Sequence, residues 1–390
     1  MTNHRFPAAS RGLALADAQF RSLARPHPCP RNGYNRKFEM SATTLLDKLA
    51  AAGVRLVEYG GARTAAVFSS PQQEFAALRS GCGLFDLGWR AKLLITGRDR
   101  TRWLNGMVTN NIRDLAPGHG LYSFLLNPQG HILGDMYVYN RGESFLLDTD
   151  RAQLDKLASL LKRYIIMDQV VLDDVSDKSI TALGLQGPEA SGMFLRAGIE
   201  PSNLQPLELE DRVWNGVSIS LIRTLHGGYE VCLGPESSGQ LWEALLGAGA
   251  TPVGTEALEL WRIASGIPRY GIDIRERDLP QETGQQQALN FSKGCYIGQE
   301  IVERIRSRGA VHRRFIGFTF TGGPPPAGIK IERDGREIGE VTSVAVMPAT
   351  TGNQAVGLGY VRHEVGGPGT SLGVGGVQAT VVELPFRLAS

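Results

Sequence analysis

Apolar positions along the chain keep two spacings, one helical and one extended. In "RAQLDKLASLLKRYI" the residues Leu154, Leu157, Leu160 and Leu161 fall at i, i+3, i+6 and i+7, which gives a helix one apolar face. "RDRTRWLNGMVTN" predicts a second helix, following the short strand "AKLLITG". "SFLLD" predicts another strand, "GHILGDMYVYN" a turn and then an alternating strand, and "SITALGLQGPEA" a strand, a turn and a helix start. "IGQEIVERIRS" predicts a helix whose stripe is Ile297, Ile301 and Ile305, with Glu300 and Arg304 as a favourable i, i+4 pair. No regular strand–helix–strand alternation runs through these elements. After residue 312 the pattern is strand throughout ("RFIGFTF", "GIKIERDGREIGEVTSVAV", "AVGLGYV", "QATVVEL"), and Asp334-Gly335 marks a hairpin. A small C-terminal barrel accounts for that run.

Residues 1–39 differ: they carry seven Arg or Lys against two acids, together with the Pro-rich "RPHPCP". That composition predicts a disordered extension ahead of a helix capped by Ser41 or Thr43. An over-extended start before Met40 explains it, and an organellar transit peptide is the competing reading.

Composition narrows the function classes. With 42% hydrophobic and 21% charged residues, the 390-residue chain reads as globular, and 48 glycines favour tight turns. A net charge of +2 argues against a general nucleic-acid binder, so direct nucleic-acid contact is not expected. No apolar run suits a membrane span. The four cysteines (Cys29, Cys82, Cys232, Cys295) are scattered without CxxC spacing, which suits reduced thiols in the cytoplasm; a mitochondrial matrix location follows only from the transit-peptide reading. The seven histidines form no HxH or HxxxH pair, so no local metal site is expected.

Two motifs lack their context. "GTSLG" (369–373) has no strand before it and no helix after, and "GCGLFD" (81–86) lacks the closing glycine of a dinucleotide loop. Cys295 in "NFSKGCYIGQEIVER" is better placed. Lys293 supplies a nearby cation, Gly294 and Gly298 permit close backbone approach, and the helix just downstream would lower a thiol pKa. Buried packing is the alternative use of a free cysteine. "RIRSRGAVHRR" (304–314) carries five arginines and His312, either as a solvated face or as an anion-binding rim. Asp135 is a turn residue or, if partly desolvated, a partner for an N–H-rich heterocycle.

"KGCYIGQE" resembles the K-G-C-[FY]-x-G-Q-E signature of the YgfZ-type folate-binding proteins, relatives of the glycine-cleavage T-protein. The similarity extends to "GLFDLGWRAKLLITGRDRTRWLNGMVTNNI", "YSFLLNPQGHILGDMYVY", "LGLQGPEA" and "LWRIASGIPRYGIDI". It implies an α+β, T-protein-like fold: two intertwined α+β modules around a central folate-type pocket plus a C-terminal antiparallel β-barrel. Residues 41–165 with 252–311 would form the folate-binding module, 166–251 the second module and 312–390 the barrel, after a disordered 1–40. Tetrahydrofolate is the implied cofactor. Asp135 takes the second place of the family's Asp pair, Arg262 the arginine of L-R-L-E-A-G and Tyr270 the tyrosine of P-x-Y-G. Glu230 keeps the second glutamate of a segment shortened to "TLHGGYE". The first Asp of the pair is Gly134, so the resemblance implies the loss of two polar contacts to the pterin, which argues against aminomethyl transfer.

Three readings follow. In the first, a tetrahydrofolate-binding accessory protein supports assembly or repair of iron–sulfur enzymes and, through them, tRNA thiolation. Cys295 is its functional thiol, positioned by Lys293, Gln299 and Glu300, and its partners are iron–sulfur enzymes or assembly proteins rather than membranes. This leans away from an enzyme. The alternative is a tetrahydrofolate-dependent aminomethyltransferase resting on Asp135, Arg262 and Tyr270. The third is an RNA or protein binding module using the arginine run.

Overall fold

The computed structural model describes residues 45–387 apart from 177, 201–202, 310, 349–351 and 366. The N-terminal extension and its helix cap lie outside the described residues. Two sheets and a barrel carry the fold. In the first sheet five antiparallel strands run in the order Gly120–Leu126, Ile132–Asn140, Phe145–Asp150, Arg90–Thr96 and Val171–Asp174. The helices Arg100–Met107 and Arg151–Arg163 cover one of its faces, burying Trp103, Leu104, Leu157 and Leu161 against Leu93, Met136 and Val138. The predicted apolar stripe is thus the buried one, with Leu160 at its half-buried margin.

The second sheet orders Leu209–Trp214, Val217–Arg223, Tyr229–Leu233, Thr181–Gln186, Gly83–Asp86 and Thr251–Pro252, and only its last pair is parallel. Ala190–Arg196 and Pro235–Gly247 pack on its outer side around Phe194, Leu241 and Trp242. The two sheets meet through Tyr139, Leu146, Ala182, Ile222 and Cys232. The helix Thr255–Ala264 then joins this body to the C-terminal strands, burying Leu258 and Ile263 against Val356 and Leu358.

The C-terminal domain is the expected antiparallel barrel of six strands, with the edge strands Lys330–Arg333 and Ser371–Val374 lying against each other and nearly closing it. At its hairpin Asp334 and Gly335 both have positive φ, 52° and 70°, so the turn follows the right-handed twist of the strands it joins. Ser371, the serine of "GTSLG", opens a barrel strand, which confirms that no nucleophile elbow exists there.

Candidate functional site

The helix-free face of the five-stranded sheet opens onto a cavity of about 220 Å³. Period-two alternation decides which side chains reach it. Asp135, Tyr137 and Tyr139 line the cavity, whereas Met136 and Val138 turn into the helix-covered core. Gly134 turns the same way: a Cβ there would lie 2.7 Å from Leu157 Cδ2 and 2.9 Å from Gln153 Oε1. The sequence reading counted the missing first aspartate as a lost pocket contact. Strand geometry corrects this, because an aspartate at 134 would point under the helix rather than into the cavity.

Asp135 is held by two neutral donors. The Tyr122 hydroxyl donates to Oδ2 at 2.6 Å and Gln153 Nε2 to Oδ1 at 2.7 Å, while Gln153 Oε1 accepts from the Asp135 backbone N–H at 3.1 Å. Burial and the neighbouring carboxylate push the Tyr122 hydroxyl well above the usual tyrosine range, so it stays a donor. Every other carboxylate of the wall has a cation. Asp148 takes Arg90 at 3.0 Å and Lys92 at 2.8 Å, Asp150 takes Arg90 and Arg269, and Glu230 takes Lys92. Among the described residues Asp135 alone on that wall forms no ion pair.

The remaining residues proposed for the ligand fall into two groups. Glu230 lines the cavity, but one of its oxygens already receives both Lys92 and the Cys232 thiol. Arg262 lines it too, yet its guanidinium is spent. Nε and Nη2 donate to Glu259, Nη1 to Asp273 at 2.6 Å and to the Ile267 carbonyl at 2.8 Å, and Nη2 also to Ser343 at 3.0 Å. These contacts engage all five donors an arginine has and tie the module to the barrel. Tyr270 lies on the rim, its hydroxyl donating to the Leu133 carbonyl at 2.7 Å and accepting from Lys156 at 2.8 Å. Tyr122, Gln153 and Arg269 were missed by the sequence reading. The one signal available was Gln153, a polar residue beside Leu154 and Leu157 on the apolar face of its helix.

The cysteine loop packs against the edge strand Gly120–Leu126 of the five-stranded sheet. Cys295 is exposed and is not among the residues that line the cavity. Burial as a packing thiol is thereby excluded. Lys293 does not face the thiol as expected. Its ammonium is buried and donates to the carbonyls of Asn105 at 2.6 Å, Val108 at 2.5 Å and Asn110 at 2.7 Å, closing the end of the Arg100–Met107 helix. Burial and the nearby Arg113 guanidinium pull its pKa down to about 7, and the three carbonyls are what favour the protonated form. Tyr296 packs behind Tyr122 and Phe124. Gly298, at φ 82°, caps the following helix where any Cβ would meet the Asn127 carbonyl at 2.6 Å. Gln299 Oε1 accepts from the Tyr296 N–H at 3.3 Å, and Glu300 points to solvent with Arg304. Among the described residues of the helix Gln299–Arg308 the buried one is Val302; Ile301 and Ile305, and Ile297 just before the helix, are only half-buried.

The arginine run is partly neutralised: Arg304 pairs with Glu300, Arg306 with Glu303, and Arg313 with Asp278 and Glu282. Among the described residues Cys82, Cys232 and Cys295 are free thiols, no group of three or more His, Cys, Asp or Glu is placed to hold a metal, and no helix is long and apolar enough to cross a membrane.

Two family profiles cover the chain, the GCVT N-terminal domain over residues 45–293 and the glycine cleavage T-protein C-terminal barrel domain over 313–387. The chain belongs to the T-protein family. It is similar to the aminomethyltransferases of Nostoc sp. (31% identical, covering 86% of this chain and 93% of the relative) and Geobacillus kaustophilus (30%, covering 89% and 98%). The T-protein fold is seen again in the glycine cleavage system aminomethyltransferase T from Bartonella henselae, with TM-score 0.80 at 22% identity over 90% of this chain and 100% of that one. These relatives carry the name of the activity that the sequence analysis held as its alternative, and they weigh toward it over the iron–sulfur reading.

Proposed function

We propose that the protein is a tetrahydrofolate-dependent one-carbon transferase of the aminomethyltransferase type, with the cavity beside Asp135 as its folate site. The observation that carries this is Asp135, an unpaired carboxylate on a wall where every other carboxylate is neutralised. Each of its oxygens accepts one hydrogen bond and keeps room for another. The residues present fit the cofactor: a carboxylate for the N–H edge of a pterin, and Tyr137, Trp261 and Tyr270 as flat surfaces against its rings. When bound, tetrahydrofolate supplies the nitrogen that accepts the one-carbon unit. The chain's own part is to hold that acceptor still and dry. Tyr122 and Gln153 fix the Asp135 carboxylate in one rotamer, and the mutually neutralised floor of Arg90, Lys92, Asp148 and Glu230 presents no competing net charge. Purified protein mixed with an aminomethylated lipoyl carrier and tetrahydrofolate is expected to release ammonia, and the Asp135→Asn variant to release at least about tenfold less. No turnover by the unaltered protein would overturn the assignment.

A second reading keeps a specific observation on its side. In the YgfZ-like signature, Lys293, Tyr296, Gly298 and Gln299 each have an architectural contact, while Cys295 stands exposed with no packing duty. A tetrahydrofolate-binding accessory to iron–sulfur enzymes would use that thiol toward a partner rather than toward the cavity. Complementation of a strain lacking the gene separates the two. Loss of iron–sulfur enzyme activity with Cys295→Ala supports the accessory role, and full restoration by that variant removes it.

A further inference from the structure

The helix Arg151–Arg163 covers the far face of the five-stranded sheet, yet two of its polar side chains act on the cavity wall. Gln153 holds Asp135, and Lys156, three residues further along, holds Tyr270. Gly134 makes that reach possible. A Cβ there would lie 2.7 Å from Leu157 Cδ2 and 2.9 Å from Gln153 Oε1, so the helix sits closer to the strand than any other residue would allow. The Lys156 ammonium donates to the Tyr270 hydroxyl at 2.8 Å and to Glu276 Oε1 at 2.6 Å, pinning both ends of the loop 270–276 to the helix. Within that loop the Gly271 N–H donates to the Ile274 carbonyl at 2.7 Å, which closes it on itself.

The Tyr270 hydroxyl is engaged on both sides, accepting from Lys156 and donating to the Leu133 carbonyl at 2.7 Å. Burial pushes its pKa up, against the opposing pull of Lys156, so it stays a donor across neutral pH. Burial disfavours the Lys156 charge, but the hydrogen bonds to Glu276 and Tyr270 outweigh it, raise its pKa and keep the ammonium protonated. The Tyr270 ring packs against the cluster that holds Tyr122, Phe124 and Ile274, and it also lines the cavity. A ring fixed at its Cα, along its packed side and at its hydroxyl keeps one orientation toward whatever enters.

We infer that Lys156 is a positioning residue for the ligand: through the Tyr270 hydroxyl it sets the ring against which the ligand's flat head lies. On the folate reading above, on which this inference rests, that head is the pterin. The ion pair with Glu276 is the lesser part of the device, because Glu276 is 64% exposed and solvent screens the pair. One helix thus governs two different contacts to the head, the Asp135 carboxylate at its edge through Gln153 and the Tyr270 face through Lys156.

The test is a double-mutant cycle on tetrahydrofolate affinity, measured by calorimetric titration of the full chain as the unaltered protein, Lys156→Met, Tyr270→Phe and the two together. Lys156→Met is expected to weaken binding by about fivefold, and to weaken it no further in the Tyr270→Phe background, where the hydroxyl it acts on is gone. Glu276→Gln is expected to stay within about twofold of the unaltered protein. In the aminomethyl-transfer assay, Lys156→Met should raise the KM for tetrahydrofolate by a similar factor and leave kcat in place, since the ring meets the head equally before and during transfer. Unchanged affinity in Lys156→Met, losses that multiply in the double variant, an equal loss in Glu276→Gln, or a fall in kcat at constant KM each overturns the inference and leaves the folate reading standing. Failure of the unaltered protein to bind tetrahydrofolate overturns that reading and this inference with it.

Discussion

Asp135 and Gly134 are neighbours in sequence with opposite environments, because a strand sends successive side chains to opposite faces. Restoring the family's aspartate pair by Gly134→Asp would force a charged side chain against Leu157 and Gln153. It is expected to destabilise the protein by about 2–4 kcal/mol in urea unfolding, from overpacking and a buried charge together, without raising folate affinity. A gain in affinity would show that position 134 can reach the cavity. Gln153→Leu removes both of its hydrogen bonds to Asp135 and is expected to weaken folate binding by about tenfold in a calorimetric titration. Sequence alone could nominate Asp135 as a carboxylate in a strand. It could not show that Arg262 is fully occupied, since the turn after its helix brings Ile267 and Asp273 back to it and Ser343 meets it only through the docking of the barrel.

The cysteine loop shows the same limit at the scale of an element. Its helix was legible from the apolar spacing; Gly298 was legible as a place of close backbone approach, but its left-handed conformation at the start of the helix was not. The role of Lys293 was not, because the carbonyls it serves lie more than 180 residues upstream. Lys293→Met leaves three carbonyls without their donor and is expected to cost about 2–4 kcal/mol of stability, measured by denaturant unfolding. Cys295→Ala, at an exposed position, is expected to stay within about 0.5 kcal/mol of the unaltered protein. If the two variants lost stability equally, the separation of scaffold from thiol within this loop would fail.

Across the whole molecule, the barrel is fastened to the folate-side segment by ion pairs as well as by apolar packing. Glu340 on the barrel strand Arg336–Met347 meets Arg275 at 2.6 Å, Arg277 at 2.6 Å and Lys330 at 2.7 Å. Burial opposes its charge, but the hydrogen bonds and charges of Arg275 and Lys330 outweigh it and hold its pKa at about 2, below the ordinary 4.5. The folded pKa is the lower one, so its stabilisation is present above pH 4.5 and is lost as pH falls toward 2. Glu340→Gln is expected to be less stable at pH 7 by about 1–3 kcal/mol and to show a flatter decline over that acid range in unfolding scans. The barrel strands and their Asp334-Gly335 turn were readable from local pattern, as were the helices Arg100–Met107, Arg151–Arg163 and Gln299–Arg308, whereas Pro71–Ser80, Pro235–Gly247 and Thr255–Ala264 were not. The neutralised floor of the cavity was not, because Lys92, Asp148 and Glu230 come from two sheets that only the tertiary fold brings together. The central claim is that a folate site is organised by Asp135 and is separate from the exposed thiol. Titration of reduced folate into the unaltered protein, Asp135→Ala and Cys295→Ala tests it most directly. The account predicts that Asp135→Ala loses at least about tenfold in affinity while Cys295→Ala binds as the unaltered protein does; unchanged binding by Asp135→Ala, or a comparable loss in Cys295→Ala, would contradict it.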